Sequence, residues 1–425
     1  MLSIKNYSFL FFFLPGIAFA QELKKLDLQQ AYELAQKNYP AIKQKDLVRK
    51  AAGLTIDNLS KGYLPQVQIN GQATYQSDVT SITGINIPGI NIQSPDKDQY
   101  KIVADINQVI FDGGVIKQQK VSQQLNAVVE EQKVEVELYG IRDRINQIYF
   151  GILFLDEQLK QVELVKKDIG TGIKTVDAQV NNGIAFKSNL NLLKAELLQT
   201  EQRTIELSAS RKGFINTLSV FLNQPLSSEV ILEKPGNLSA QVAEDIQRPE
   251  LKLFDNQASL LDQQNKLIDS RLLPKASLFA QSGYGKPGLN LLDNNFKFYY
   301  IGGLRLNWSL SGLYTRKKEK ELVKVNQQTV DVQKETFLLN TNARLQQQQA
   351  EISKLQQLVA SDNEIIGLRK TVTDAAKAQL ENGVITPNDF LKQVNAEDQA
   401  RQSLITHQVQ LLQAEANYQT ISGKQ

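Results

Sequence analysis

The chain has 425 residues, and its composition excludes several classes of protein. It contains no cysteine and one histidine, which excludes disulfide frameworks, thiol nucleophiles and His-rich metal sites. The formal net charge is +3 at pH 7, and Lys and Arg are spread among Asp and Glu, unlike the basic face of a nucleic-acid binder. No apolar run after residue 20 reaches the roughly 20 residues of a membrane-spanning helix. This composition argues against an enzyme, and it suggests neither a cofactor nor a metal.

Residues 1–20 have the pattern of a secretory signal peptide. Lys5 supplies the positive charge, residues 9–14 form a short apolar core, and residues 18–20 read Ala-Phe-Ala, a small-residue cleavage pattern. We expect the mature chain to begin at Gln21 and to be periplasmic, secreted or in an outer membrane. The alternative is an N-terminal membrane helix, for which the apolar core is short.

Two proline-free intervals, 96–224 and 288–386, have the apolar pattern of long helices. Between Val134 and Val162 the apolar positions alternate between spacings of four and three residues. This 3.5-residue period is typical of a left-handed coiled coil. A helix over 115–180 would be roughly 100 Å long, more than an ordinary globular domain needs.

Each long helix is predicted to turn back at an Asn-Gly pair, one at 182–183 and one at 382–383. A second apolar seam follows the first pair over 193–221, and a return helix follows the second pair to about Thr420. Short connections of this kind imply antiparallel helical hairpins.

Period-two alternation predicts four β-strands. It is cleanest after Lys297, where Phe298, Tyr300 and Leu304 share one face and Arg305 lies on the other. One apolar and one polar face, with aromatic residues near the ends, suits a sheet that faces lipid. The four predicted strands lie at 67–75, 100–107, 278–284 and 297–310.

The chain is predicted to be an internal repeat, with halves at 21–235 and 236–425. Asn182-Gly183-Ile184 recurs 200 positions later as Asn382-Gly383-Val384. Each half reads helix, strand, loop, strand, long helix, Asn-Gly tip and return helix. The smallest closed barrels use about eight strands and lipid tolerates no open edge, so two or more copies must share one barrel.

The ordered set of motifs resembles the TolC family of outer membrane factors. It comprises Tyr63-Leu64-Pro65, Leu272-Leu273-Pro274, the turn at 108–114 and the two Asn-Gly tips. The resemblance implies a mainly α fold with a β-barrel portion. Three chains would share one 12-stranded barrel of transmembrane β-strands, and their long antiparallel hairpins would form an α-barrel.

The resemblance also implies a function. The trimer would sit in the outer membrane, with its helical part in the periplasm. It would be the passive exit duct of a tripartite efflux pump or a type I secretion system. Its partners would be a periplasmic adaptor, an inner-membrane efflux or ABC transporter and outer membrane lipid, without nucleic acid or a cofactor. The alternative is a structural coiled-coil protein of the periplasm or cell surface without a channel.

The hairpin tips are the predicted contact with the adaptor. The resemblance assigns this role to Gly183, Ile184, Gly383 and Val384. Glycine also permits the positive φ that ends a helix, so a plain C-cap is the simpler interpretation of both glycines.

A pore gate is predicted just beyond the second tip. In similar proteins an aspartate at the place of Asp389 faces the pore, and by symmetry its copies would attract cations. The equivalent place in the first repeat is Asn189, and Lys392 stands where the family often has a second aspartate. The alternative is a helix N-terminal charge, which Thr386-Pro387 just before Asp389 favours.

Two further features are assigned structural roles. Asp112, Gly113 and Gly114 are predicted to form a strand-to-helix turn, since the full glycine spacing and lysine of a phosphate-binding loop are missing. His407 lies among glutamines in the return helix and is expected on the surface.

Overall fold

The computed structural model describes residues 23–79, 94–236, 245–291 and 293–424. None of the helices in these ranges is both long and apolar enough to cross a membrane. The predicted signal peptide lies outside the described residues. In chain order the elements are β1 Leu23–Leu26, α1 Leu28–Asn38, α2 Ile42–Ser60, β2 Gln66–Tyr75, β3 Asp98–Phe111, α3 Val115–Asn181, α4 Lys187–Leu222, β4 Leu226–Leu232, α5 Pro249–Arg271, β5 Lys275–Lys286, β6 Lys297–Asn307, α6 Gly312–Glu381 and α7 Pro387–Ser422.

Two compact units divide the chain, and each takes segments from both halves of the sequence. One unit draws on Met1–Tyr39, Leu138–Ile246 and Ala343–Gln425, and the other on Pro40–Glu137 and Gln247–Asn342. The long helices α3 and α6 contribute residues to both units. Neither compact unit corresponds to one half of the chain, so the units do not test the predicted repeat boundaries. Those boundaries remain a prediction.

The second unit contains an antiparallel sheet with the strand order β2-β3-β5-β6. Ile106 of β3 pairs with Val67 on one side and with Ala280 on the other. Leu278 of β5 pairs with Leu304 of β6. Paired residues share a face of a sheet, so the apolar alternation of the four strands falls on one common face.

The 3.5-residue seam of α3 is its buried face, as predicted. Ile145, Ile152 and Ile169 are completely buried, and Val162 and Val176 are at most 1% exposed. The same period continues in α6, where residues at heptad spacing form a core with α7. This core contains Leu345, Ile352, Leu355, Ala414, Tyr418 and Ile421.

A small parallel sheet was not predicted from the sequence. Strand β1 pairs with β4, some 200 residues later, and Leu26 lies opposite Leu232. The buried hydroxyl of Tyr149 on α3 lies 2.9 Å from the carbonyl oxygen of Leu26 and 2.6 Å from that of Glu233. Burial raises the pKa of Tyr149 above its ordinary value, so this hydroxyl stays protonated and ties both strands to the helix.

The expected surface position of His407 is wrong. Its side chain is only one quarter exposed, and its Nδ1 lies 2.6 Å from Oδ2 of Asp362 on α6. Asp362 is seven residues after Leu355 and continues the buried heptad stripe of α6. A carboxylate at a core position needs a polar partner, and His407 on the facing helix supplies one.

Candidate functional site

Both hairpin tips end their first helix in the same way. Gly183 has a φ of 73° and Gly383 a φ of 70°, in the left-handed region that glycine favours. The amide of Ile184 donates to the carbonyl of Gln179 at 2.8 Å, and the amide of Val384 donates to the carbonyl of Gln379 at 2.8 Å. This six-residue closure is a Schellman motif, so a C-cap accounts for both glycines locally.

The two tips of one chain share a hydrophobic core. The core draws on α3, α4, α6 and α7 and contains Val165, Ile169, Val176, Leu190, Leu193, Ala376, Leu380, Phe390, Leu391 and Val394. The side-chain amide of Gln179 donates to the carbonyl of Leu380 at 2.9 Å, which joins the end of α3 to the end of α6. The hairpins of one chain are therefore held together at their ends.

The tips also expose large apolar side chains. Ile184 and Val384 are each 71% exposed, and Phe186 is 80% exposed. Ala185 and Ile385, the residues that follow Ile184 and Val384, pack against the shared core instead. Each tip therefore exposes a small apolar surface beside the shared core.

Asp389 lies in the first turn of α7 and caps it together with Thr386. The Thr386 hydroxyl donates to Oδ2 of Asp389 at 2.7 Å, and the Asp389 amide donates back to that hydroxyl oxygen at 3.2 Å. Lys392 Nζ lies 3.4 Å from Oδ1. The hydrogen bond from Thr386, and then the contact with Lys392, hold the pKa of Asp389 below its usual range. Asp389 is thus an ionised, half-exposed carboxylate with a cation one turn away.

The first tip is built differently at the corresponding place. The helix α4 begins after Phe186, which has no side-chain capping bond. The Asn189 amide donates to the carbonyl of Phe186 at 3.0 Å. The first tip therefore lacks both the carboxylate and the hydroxyl cap of the second. No described residue contradicts the gate or adaptor assignments, and none tests them.

The strand-to-helix turn at Asp112 depends on its two glycines. Gly113 and Gly114 have φ values of 72° and 81°. One carboxylate oxygen of Asp112 accepts from the amide of Gly114 at 2.8 Å, and the other accepts from the amide of Ile116 at 2.6 Å. The buried Asp112 thus caps α3 from the end of β3.

The common apolar face of the sheet is exposed in the single chain. It carries large side chains with exposures from 39% to 77%, namely Val67, Ile69, Tyr100, Ile102, Ile106, Leu278, Tyr284, Phe298, Tyr300, Leu304 and Leu306. The opposite face is polar, and there Asp105 accepts from Asn70 at 2.9 Å and from Gln281 at 2.7 Å. Aromatic side chains lie near both strand ends, including Tyr284 stacked on Phe296 at a centroid distance of 5.6 Å.

A buried polar network joins helices of the two hairpins between their ends. It was not predicted from the sequence. Asp398 on α7 accepts from Gln161 of α3 at 3.0 Å and from Arg203 of α4 at 2.9 Å. Arg203 also donates to Gln158 at 2.7 Å. Asp398 is 8% exposed, whereas isolated charges in a polar sequence are expected in solvent. The sequence feature that could have indicated this network is the presence of polar residues beside a coiled-coil seam.

A family of known proteins shares this sequence pattern. Residues 31–224 match the sequence model of a family described as outer membrane efflux protein. This part of the chain is therefore similar to that family. No curated protein matches the chain by sequence. Within the described ranges, no group of three or more His, Asp or Glu residues is placed to hold a metal ion.

Solved structures share the fold of this chain over nearly its whole length. CusC has 14% identity and a TM-score of 0.65, and the match covers 95% of this chain and 94% of CusC. The CmeC outer membrane channel of Campylobacter jejuni has 12% identity and a TM-score of 0.62, with 93% of this chain and 85% of CmeC covered. The MtrE outer membrane channel of Neisseria gonorrhoeae has 15% identity and a TM-score of 0.62, with 93% of this chain and 89% of MtrE covered. The resemblance and the mixed fold class predicted from the sequence are confirmed.

Proposed function

We propose that the chain is the outer-membrane exit duct of an efflux or type I secretion assembly, and that three copies form it. It conducts substrate passively and takes its energy from an inner-membrane transporter, reached through a periplasmic adaptor. The single observation that carries the proposal is the sheet, which is apolar and exposed on one face. The polar opposite face suits an aqueous lumen.

The dimensions of the sheet support this orientation. The strands β2, β3, β5 and β6 have 10, 14, 12 and 11 residues. A tilted strand needs about 9–11 residues to cross a bilayer. In the described part of the chain, β2 and β6 each pair along one side only. Neighbouring copies would satisfy those edges and close a 12-stranded barrel.

Cysteine labelling tests the orientation of the sheet, because the native chain has no cysteine. Ile69 and Asn70 are neighbours on opposite faces of β2. In reconstituted vesicles, Ile69→Cys should react with a lipid-dissolved maleimide and resist a membrane-impermeant aqueous one. Asn70→Cys should show the reverse, and planar bilayers containing the protein should show discrete conductance steps. Rapid aqueous labelling of both cysteines, without conductance steps, would exclude the duct.

The hairpin tips are proposed to be the periplasmic entrance and the adaptor contact, through Gly183, Ile184, Gly383 and Val384. Support comes from the exposed apolar side chains beside a shared hydrophobic core. A photoreactive crosslinker on Ile184→Cys should capture the adaptor in cells. The matched control is Ile205→Cys, which is similarly exposed on α4 at 69% but lies away from the tip. Equal capture by both would contradict a tip contact.

Asp389 is proposed to line the entrance, with Lys392 moderating its charge and Asn189 contributing a neutral side chain from the first tip. The 3.4 Å contact between Lys392 and Asp389 supports this compensation. In planar bilayers under a salt gradient, Lys392→Gln should shift the reversal potential towards cation selectivity, and Asp389→Asn should shift it the other way. Reversal potentials that equal the wild-type value in both variants would place this pair outside the pore.

A further inference from the structure

Arg142 on α3 is a buried cation without a counter-ion among the described residues. Its side chain is 5% exposed. Its Nε is buried and has no hydrogen-bond partner in the described structure. Its guanidinium lies 4.9 Å from the ring centre of Tyr32 and 4.8 Å from that of Tyr139. Cation–π contacts offset only part of the cost of burying a charge, so the guanidinium is electrostatically incomplete.

The groups around Arg142 already have their own partners. The Tyr32 hydroxyl forms a hydrogen bond with Oδ1 of Asn146. The Tyr139 hydroxyl donates to the carbonyl of Thr420 at 2.7 Å. Asn146 donates its amide to Asn417 at 3.0 Å. These bonds engage both tyrosine hydroxyls elsewhere and leave Nε of Arg142 as a buried donor without a partner among the described residues.

Arg142 lines a pocket of about 400 Å³ between α1, α3 and the end of α7. Lys424 is a second cation in its wall, and Asp27 is the carboxylate in the wall. Asp27 already accepts from the amide of Gln30 at 2.7 Å, as the N-cap of α1. Leu28 and Gln29 in the first turn of α1 also line the pocket, and the amino end of a helix favours negative charge.

The remaining wall of the pocket is largely apolar. It includes Leu28, Pro235 and Ala416. A pocket that combines one buried cation with apolar walls suits a ligand that has one anionic group and an apolar body. Inorganic phosphate can pair with an arginine as a carboxylate does, but it has no apolar body to lie against this wall.

The geometry points to a binding site for a small organic carboxylate, with Arg142 as its principal ligand. The carboxylate pairs with the part of the Arg142 guanidinium that lines the pocket, and its apolar body lies against the pocket wall. Lys424 contributes a second attraction at the rim. This site is separate from the tips and the sheet, and it does not depend on the proposed function.

Equilibrium dialysis of the full-length protein in detergent with radiolabelled benzoate tests the site. The wild-type chain should bind benzoate saturably, with one site per chain. Arg142→Met keeps the length of the side chain but removes the charge, and it should weaken binding at least tenfold. The matched control is Arg144→Met, because Arg144 is an exposed arginine on the same helix. Equal affinity in all three proteins, or no saturable binding by the wild type, overturns the proposal.

Two further arms keep the test decisive if Arg142→Met does not fold. Lys424→Gln alters only the rim and should weaken benzoate binding several-fold, and an unchanged affinity counts against the site. Inorganic phosphate should bind the wild type at least tenfold more weakly than benzoate. Equal affinities for phosphate and benzoate would overturn the assignment to organic carboxylates.

Discussion

Two adjacent glycines of the strand-to-helix turn provide an internally controlled test of the fold. A Cβ added to Gly113 would lie 2.7 Å from the carbonyl oxygen of Ser270 and 2.8 Å from Cβ of Leu273. A Cβ added to Gly114 would meet no atom within 4 Å. The two φ values differ by only a few degrees, so the pair separates the cost of crowding from the cost of backbone conformation.

The expected losses follow from these contacts. Alanine at a positive φ costs about 1–2 kcal/mol, partly offset by about 0.4–1 kcal/mol from the stiffer unfolded chain. Gly114→Ala should therefore lose about 1 kcal/mol. Gly113→Ala should lose about 1–3 kcal/mol more, because a carbonyl oxygen and a Cβ cannot rotate away and the end of α5 must shift.

Denaturant titration of the detergent-solubilised chain, followed by far-UV circular dichroism, measures both losses where refolding retraces unfolding. Asparagine tolerates the left-handed region, so Gly114→Asn should recover most of the stability lost in Gly114→Ala. Gly113→Asn should not recover it, since its Cβ still meets Ser270. An alanine at 114 that is as destabilising as one at 113 would refute the crowding argument.

Two other predictions concern the buried groups. Asp398→Ala should lower the free energy of unfolding by about 3 kcal/mol, the lower end of the range for an uncompensated buried charge, because Arg203 is 29% exposed. The same titrations measure this loss, and a loss below about 1 kcal/mol would contradict a buried network. Burial raises the pKa of Tyr32 to about 12 from 10.0, so its contribution is complete below pH 10 and is lost as the pH rises towards 12. Tyr32→Phe should therefore flatten the fall of stability between pH 10 and 12, and an unchanged slope would contradict this account.

The long elements were predictable from the sequence because their periods are strict. The four-three alternation of α3 continues for many turns, and the burial of Ile145 and Ile152 follows from it. The alternation after Lys297 likewise predicted the strand β6 and its apolar face. The predicted Asn-Gly tips coincide with the two Schellman turns, because a glycine at a positive φ is a local requirement.

The features that were missed depend on contacts between distant residues. The strand β1 has only four residues, and its partner β4 lies some 200 positions away, so neither carries an alternation of its own. The burial of Asp398 cannot be predicted from its neighbours in the sequence, because its partners Gln161 and Arg203 come from two other helices. Arg142 reads as a solvated charge until α1 and α7 are folded against it.

The edges of β2 and β6, which are unpaired among the described residues, also matter for a single copy before the proposed assembly forms. A strand with free amide and carbonyl groups can pair with the strand of another chain, so an unassembled copy can also pair with a wrong partner. Correct pairing between copies therefore competes with aggregation through the same strand edges. A chaperone that covers the edges of β2 and β6 would therefore favour correct assembly over aggregation.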